Sequence, residues 1–194
     1  MKQKLQSIGA ELKTQIKVLL SITAIFWIVF LVNDLFFRHS LIEFGIRPRN
    51  FTGLRGILFA PFLHGGFYHI VSNTFSFLTF GWLVMLYGMG DFYFVSVISA
   101  ITAGLGTWVV GSPGSVHIGA SGVIFGYFGF LLFRGYFERS FVAIAMSVMI
   151  AASYGGLIFG VLPTRAYISW EGHLFGLLGG ILAAKILANR KNST

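Results

Sequence analysis

The sequence contains no cysteine, which excludes disulfides, thiolate nucleophiles and cysteine-based zinc sites. Charge is also scarce, because Asp, Glu, Lys and Arg together make up 10% of the residues. Soluble domains carry about a quarter charged residues, and here 56% of the residues are hydrophobic instead. An ordinary soluble fold is therefore excluded. We predict an all-α integral membrane protein.

Basic residues exceed acidic ones and give a formal net charge of +8. Such a surplus can indicate nucleic-acid binding, but the lysines lie at the two ends of the chain: Lys2, Lys4, Lys13, Lys17, Lys185 and Lys191. Anchoring to anionic lipid headgroups explains that placement. We therefore expect membrane lipids, and no nucleic acid, among the partners.

Six apolar runs divide the chain, each near the ~20 residues that cross a bilayer as a helix. We place these spans at about residues 18–37, 67–87, 92–110, 118–133, 141–162 and 170–188. They predict a cytoplasmic N-terminal segment over 1–17, a six-span membrane domain over 18–188 and a cytoplasmic tail over 189–194. Residues 38–66 are interpreted as a long loop partly in the membrane interface, and residues 134–140 as a polar corner. The first span lacks a signal-peptide cleavage site, so we expect it to be retained.

The orientation of such a chain follows from the placement of Lys and Arg. With the N-terminus inside, nine of them fall on the cytoplasmic side: Lys2, Lys4, Lys13, Lys17, Arg134, Arg139, Lys185, Arg190 and Lys191. Five fall on the other side: Arg38, Arg47, Arg49, Arg55 and Arg165. We therefore predict a multi-pass protein of the cell membrane with both termini in the cytoplasm.

A few polar side chains lie inside the apolar runs, where their cost makes each a candidate for function. They are His69 and Asn73 in span two, Ser121 in span four with His117 at its edge, and His173 in span six. All lie near the N-terminal ends of even-numbered spans, which begin on the same side of the membrane. We expect them to meet about 5–10 Å below that face.

Glycines recur at steps of three and four in two of these spans. They are Gly119, Gly122, Gly126 and Gly129 in span four, and Gly172, Gly176 and Gly180 in span six. These steps place the glycines of each span on one helical face. Because small residues let backbones approach closely, we expect spans four and six to pack together.

Ser121 has two interpretations, a small packing residue or a nucleophile. A nucleophilic serine needs a base, and His173 is the one histidine in a facing span at that depth. Glu171 is the nearest carboxylate, but two positions from His173 on a helix it points elsewhere. The residues therefore favour a dyad. Phe125, one turn below Ser121, either packs against the imidazole or is an ordinary core phenylalanine.

His69 and Asn73, spaced i and i+4, share one face of span two. Together with the Ser121 amide at a helix start they could stabilise an oxyanion. In the alternative, Asn73 bonds a neighbouring helix and His69 lies in the interface. A zinc site of His64, His69 and His173 would lack a His-Glu-x-x-His pair and an inward carboxylate. We expect neither a metal nor a cofactor.

Three motifs in this order on alternate spans resemble the signature of rhomboid intramembrane serine proteases: His69-x-x-x-Asn73, Gly119-x-Ser121-Gly122 and His173-x-x-Gly176-x-x-x-Gly180. The similarity covers about residues 59–188. It implies a six-helix rhomboid-like bundle without a cofactor, acting on transmembrane protein substrates near the outer membrane face. It also implies Ser121 as nucleophile and His173 as general base. His69, Asn73 and the Ser121 amide would form the oxyanion hole.

The sequence departs from the family pattern at two places. Phe125 stands where many members carry tyrosine, and residues 45–49 lack the Trp-Arg pair often found in the first loop. The alternative function is a catalytically silent rhomboid-like protein that binds transmembrane helices, but such a protein is expected to have lost Ser121 or His173. A transporter or channel should show charges deep inside its spans or paired broken helices. The charged residues of the predicted spans, Asp34, Glu171 and Lys185, lie near the span ends, and no paired broken helices are predicted.

Overall fold

The computed structural model of the chain describes residues 2–164 and 168–192. That part contains seven α-helices: α1 Lys2–Leu35, α2 Gly56–Phe59, α3 Phe67–Met85, α4 Met89–Val110, α5 Ser121–Glu138, α6 Phe141–Tyr154 and α7 Trp170–Asn192. Short 3₁₀ segments occupy Ser40–Phe44, Phe51–Arg55, Ala60–Phe62 and Gly155–Val161. The predicted all-α class is confirmed. Arg165, which entered the orientation argument, and the end of the predicted tail at 193–194 lie outside the described residues.

Four segments of the described chain are long and apolar enough to cross a membrane: Gln6–Leu35, Met89–Val110, Phe141–Val161 and Trp170–Arg190. The protein is therefore a multi-pass membrane protein. Helices α3 and α5 coincide with predicted spans two and four but are not in that group. Polar residues lower their hydropathy, among them His69 and Asn73 in α3 and Arg134 and Glu138 in α5. The count of six spans stays a prediction.

The polar corner predicted at residues 134–140 is wrong for most of its length, because α5 continues to Glu138. Arg134 is only 3% exposed, and its Nε donates to Glu138 Oε2 at 2.7 Å. Its guanidinium also lies 3.8 Å from Asp91 and over the ring of Tyr87. Because the guanidinium of Arg134 has these partners, it can be buried between the helices. An unpaired charge would be too costly to bury there.

The loop between α1 and α3 folds back over the start of α5. Ile46 and His117 exchange two backbone hydrogen bonds of 2.9 Å. Arg49 Nη2 donates to the carbonyl oxygen of Gly111 at 2.9 Å, and Trp108 Nε1 donates to the carbonyl oxygen of Asn50 at 2.8 Å. These bonds fix the predicted interfacial loop to the end of α4 and to the segment that leads into α5.

Helix α5 is the centre of the bundle, with every residue from 123 to 131 buried. It packs against α7 backbone to backbone. A Cβ at Gly176 would overlap the carbonyl oxygen of Gly122, and a Cβ at Gly180 would overlap that of Gly126. Only glycine permits this approach. Gly122, Gly126, Gly176 and Gly180 lie at the interface between α5 and α7 as predicted, but Gly119 does not, because it precedes α5 and faces His69 and Asn73 of α3.

We expect Gly180→Ala to destabilise the protein, because its Cβ would meet backbone atoms of α5, including the Phe130 nitrogen at 2.8 Å. Overpacking of this kind typically costs about 1–3 kcal/mol. Gly90→Ala, in the first turn of α4, is the matched control, since a Cβ there meets nothing within 4 Å. Thermal unfolding in detergent should show a lower midpoint for Gly180→Ala alone. Equal midpoints for the two variants would contradict the backbone contact.

Candidate active site

A cavity of about 790 Å³ opens between the N-terminal ends of α3, α5 and α7. Its lining includes the five side chains to which the sequence assigns a chemical or ring-packing role: His69, Asn73, Ser121, Phe125 and His173. The fold thus brings together residues that lie up to 104 positions apart in the chain. Convergence of polar groups in one large cavity is typical of a catalytic or binding site.

Ser121 is the first residue of α5, where a helix leaves backbone N–H groups without intrahelical partners. The turn before it depends on Gly119, whose φ of +112° favours glycine. The Gly119 N–H donates to the carbonyl oxygen of Ala60 at 2.8 Å, and a Cβ at Gly119 would press on the ring of His69. The Gly-x-Ser sequence therefore places a hydroxyl and an amide at the edge of the cavity.

His173 lies in the first turn of α7, with its ring held on two sides. Its Nδ1 is 2.9 Å from the carbonyl oxygen of Gly160. A carbonyl can only accept, so Nδ1 carries the hydrogen and the neutral ring keeps its lone pair on Nε2. The ring of Phe125 stacks on the imidazole, with centroids 4.0 Å apart and planes 8° apart. Hydrogen bond and stacking together fix the tautomer and the plane of the ring.

Gly160 is a site residue that the sequence reasoning missed. A Cβ at this position would be 2.7 Å from the Phe125 ring and 3.5 Å from His173 Nδ1. The Gly160 carbonyl therefore accepts a hydrogen bond from the imidazole, and the lack of a side chain leaves room for the Phe125 ring that stacks on it. Gly155, Gly156 and Gly160 cluster after α6, in the 3₁₀ segment Gly155–Val161, but this cluster does not single out Gly160.

His69 and Asn73 lie against the turn that precedes Ser121. A Cβ at Gly119 would be 2.8 Å from His69 Cε1 and 3.7 Å from Asn73 Nδ2. Asn73 is 4% exposed, and its Nδ2 donates to the carbonyl oxygen of His69 at 2.9 Å. That bond uses one of the two amide hydrogens of Asn73. Both side chains therefore lie beside the turn that leads into α5 and line the same cavity as Ser121.

The imidazole of His173 has a backbone carbonyl as the partner of its Nδ1, where many serine hydrolases use a carboxylate. Glu171 is buried, at 5% exposure. The ring of His64 meets the ring of His69 edge to face, with centroids 5.1 Å apart. Within residues 2–164 and 168–192 no group of three His, Asp or Glu side chains is placed to hold a metal ion.

Residues 52–190 match the family model of the Rhomboid domain. The chain belongs to the rhomboid family. An uncharacterised protein of Mycobacterium tuberculosis (strain H37Rv) is 38% identical over 178 residues, which are 88% of this chain and 74% of that protein. YdcA of Bacillus subtilis, provisionally named a rhomboid protease, is 32% identical over 180 residues, or 89% of this chain and 88% of that protein. The rhomboid protease GluP of Bacillus subtilis is 33% identical over 127 residues, or 64% of this chain and 24% of that protein.

The resemblance that the three motifs predicted is thus confirmed at the level of the family. Rhomboid proteins are typically intramembrane serine proteases, and two of the similar bacterial proteins are named for that activity. The protein is accordingly a bacterial rhomboid-family membrane protein related to proteases.

Proposed function

We propose that this protein is an intramembrane serine endopeptidase that cleaves transmembrane-helix substrates near the outer membrane face. The observation that carries the proposal is the hydrogen bond between His173 Nδ1 and the Gly160 carbonyl. It leaves Nε2 as the basic nitrogen of a ring that lines the same cavity as Ser121. A serine at the head of a helix then has a base, an oriented imidazole and an unpaired amide beside it.

In the proposed reaction, the Ser121 oxygen attacks the scissile carbonyl carbon while His173 Nε2 takes the hydroxyl proton. The Gly160 carbonyl oxygen stabilises the imidazolium by accepting from Nδ1. The tetrahedral oxyanion accepts hydrogen bonds from the Ser121 N–H, the His69 ring and Asn73 Nδ2. When the C–N bond breaks, Nε2 returns the proton to the leaving amine. His173 Nε2 then takes a proton from a water whose oxygen attacks the acyl carbon, and it returns that proton to Ser121 Oγ as the bond between Oγ and the acyl carbon breaks.

The proposal includes a membrane topology of six spans. These are α1, α3, α4, α5, α6 with its 3₁₀ extension, and α7. The pairing of Arg134 with Glu138 neutralises the only charged residues in α5, which lowers the cost of placing this helix in lipid. With both termini in the cytoplasm, the starts of α3, α5 and α7 lie on the outer side. The cavity and Ser121 would then be reached by water from that side.

We expect purified wild-type protein to be labelled by a fluorophosphonate and to cleave a single-span model substrate. Ser121→Ala and His173→Ala should each reduce cleavage by on the order of 10⁴–10⁶-fold, and their effects should not add because nucleophile and base act as one unit. Ser76→Ala is the matched control, since Ser76 lines the same cavity on α3. Its labelling and cleavage should equal those of the wild type.

The alternative is a helix-binding protein without catalytic activity. A wild type that binds single-span helices, but neither labels nor cleaves any of several of them, would overturn the protease proposal in its favour. Labelling that persists in Ser121→Ala would show that the nucleophile is another residue.

We expect His69→Ala and Asn73→Asp each to slow turnover by about 10²–10³-fold, because each removes a donor to the oxyanion. Asn73→Asp keeps the size of the side chain and replaces its N–H donors with oxygen. Ser72→Ala, an exposed change on the same helix, is the control and should leave kcat unchanged. Steady-state cleavage kinetics measure the effect. Unchanged kcat in the His69 and Asn73 double variant would remove both residues from the mechanism.

Single cysteines can test the topology without background labelling, because the natural chain has none. Exposed positions are available at Lys13, Ser112 and Arg139. In intact cells, a membrane-impermeant maleimide should react with Ser112→Cys only, whereas all three variants should react after the cells are opened. Labelling of Lys13→Cys in intact cells would invert the orientation. Labelling of both Arg139→Cys and Ser112→Cys in intact cells would show that α5 does not cross the membrane.

A further inference from the structure

Three side chains form a hydrogen-bonded chain beside the proposed dyad and have no part in the mechanism above. His117 Nε2 lies 2.7 Å from Ser115 Oγ, and His117 Nδ1 lies 2.6 Å from Ser169 Oγ. All three side chains line the same cavity as Ser121 and His173. His117 and Ser169 also line a second cavity, of about 30 Å³, which Ser121 shares.

The partners of these groups fix the direction of each hydrogen bond. The Ser115 hydroxyl donates to the carbonyl oxygen of Ser112 at 2.6 Å, so its oxygen must accept from the His117 Nε2–H. In a neutral ring Nδ1 then has a lone pair and accepts from the Ser169 hydroxyl. Burial lowers the pKa of His117, against a smaller opposing effect of Glu171, so the ring is neutral at neutral pH.

The two linked residues lie at equal sequence distances before the two residues of the proposed dyad. His117 lies four residues before Ser121, and Ser169 lies four residues before His173. The Ser169 carbonyl oxygen accepts the His173 N–H at 3.1 Å, which is a first-turn bond of α7. The link therefore joins the segments that lead into α5 and α7, beside the dyad.

The two ends of the link are held differently. The backbone of His117 is paired with Ile46 in both directions, so the interfacial loop fixes it. Ser169 Oγ has room beside α7 because residue 172 is a glycine. A Cβ at residue 172 would lie 3.1 Å from Ser169 Oγ. A Cβ at Gly111 would likewise come within 3.2 Å of His117 Nε2. His117 is thus an anchored acceptor for the hydroxyl at the start of α7.

We propose that His117 and Ser169 are positioning residues, whose hydrogen bond holds the first turn of α7 so that His173 Nε2 faces Ser121. This inference rests on the protease function proposed above. The tightest glycine contacts set the distance between α5 and α7 from Gly176 onwards, whereas His173 lies about one turn earlier, in the first turn of α7, where a helix end frays most easily. A displacement of about 1 Å between reacting groups can cost up to about 10²-fold in rate.

The tautomers give a test that does not need activity. In protein labelled with ¹⁵N-histidine, the nitrogen spectrum should show His117 protonated at Nε2 and His173 protonated at Nδ1. His117→Asn and His173→Ala variants assign the two sets of signals. A His117 ring protonated at Nδ1 would overturn the proposal, because Ser169 could not then donate to it.

The kinetic test compares variants that keep or lose the link. Asn at position 117 can place its amide oxygen near the site of Nδ1, whereas Gln reaches towards the site of Nε2. We expect Ser169→Ala and His117→Gln to lower kcat and the rate of fluorophosphonate labelling by about 10-fold, with KM and the thermal midpoint unchanged. Ser169→Thr keeps the hydroxyl, so it and His117→Asn should retain most of the wild-type rate.

The outcomes separate this inference from the proposed function. A wild type that neither labels nor cleaves overturns the protease, and the spectrum still decides whether the link exists. An active wild type with unchanged kcat in Ser169→Ala overturns the positioning role and leaves the protease intact. If Ser169→Ala lowers the thermal midpoint and Ser169→Thr fails to restore kcat, the residue is structural and the positioning role is also overturned.

Discussion

Direct backbone contact between α5 and α7 sets the geometry of the site. In lipid the hydrophobic effect does not drive helices together, so close packing has to supply the attraction. Gly122 and Gly126 meet Gly176 and Gly180 with no side chain between the helices. Ser121 adjoins the first of these contacts, and His173 lies about one turn before it. The spacing of the two helices therefore determines how far the hydroxyl is from the imidazole.

The other end of α5 is held in part by charge. Arg134 lies 13 residues beyond Ser121, or about 20 Å along a helix. It pairs with Glu138 on its own helix, faces Asp91 of α4, and reaches the carbonyl oxygen of Ala184 on α7 at 3.5 Å. Such a pair is weak evidence for stability, but removing one partner would leave a buried charge uncompensated. Arg134 therefore links the end of α5 to both α4 and α7.

Much of this arrangement could be predicted because it depends on local pattern. Apolar runs located the long helices, and the spacing of glycines indicated which two faces would meet. His69, Asn73, Ser121 and His173 attracted attention because polar groups are costly inside apolar runs. The same rule failed for Arg134, which was assigned to a corner. A single sequence does not show that a charge will find its partner four residues later on the same buried face.

The remaining features depend on contacts that no local pattern encodes. Gly160 is one of 25 glycines, and its role follows from where its carbonyl lies relative to a helix that begins after it. The link between His117 and Ser169 has matched offsets from Ser121 and His173, which are visible once the fold is known. Before that, the expectation that the polar residues meet near one face does not indicate that His117 binds Ser169.

His173, on α7, and His117, just before α5, both form hydrogen bonds with neutral groups. His173 donates from Nδ1 to a carbonyl, and His117 is placed between two serine hydroxyls. A carboxylate would orient an imidazole as well, but an ionised carboxylate in a site of low dielectric costs several kcal/mol unless it is fully paired. A carbonyl or hydroxyl fixes the tautomer without adding a charge. Backbone and hydroxyl partners can therefore hold an imidazole in one tautomer without a hydrogen bond to a carboxylate.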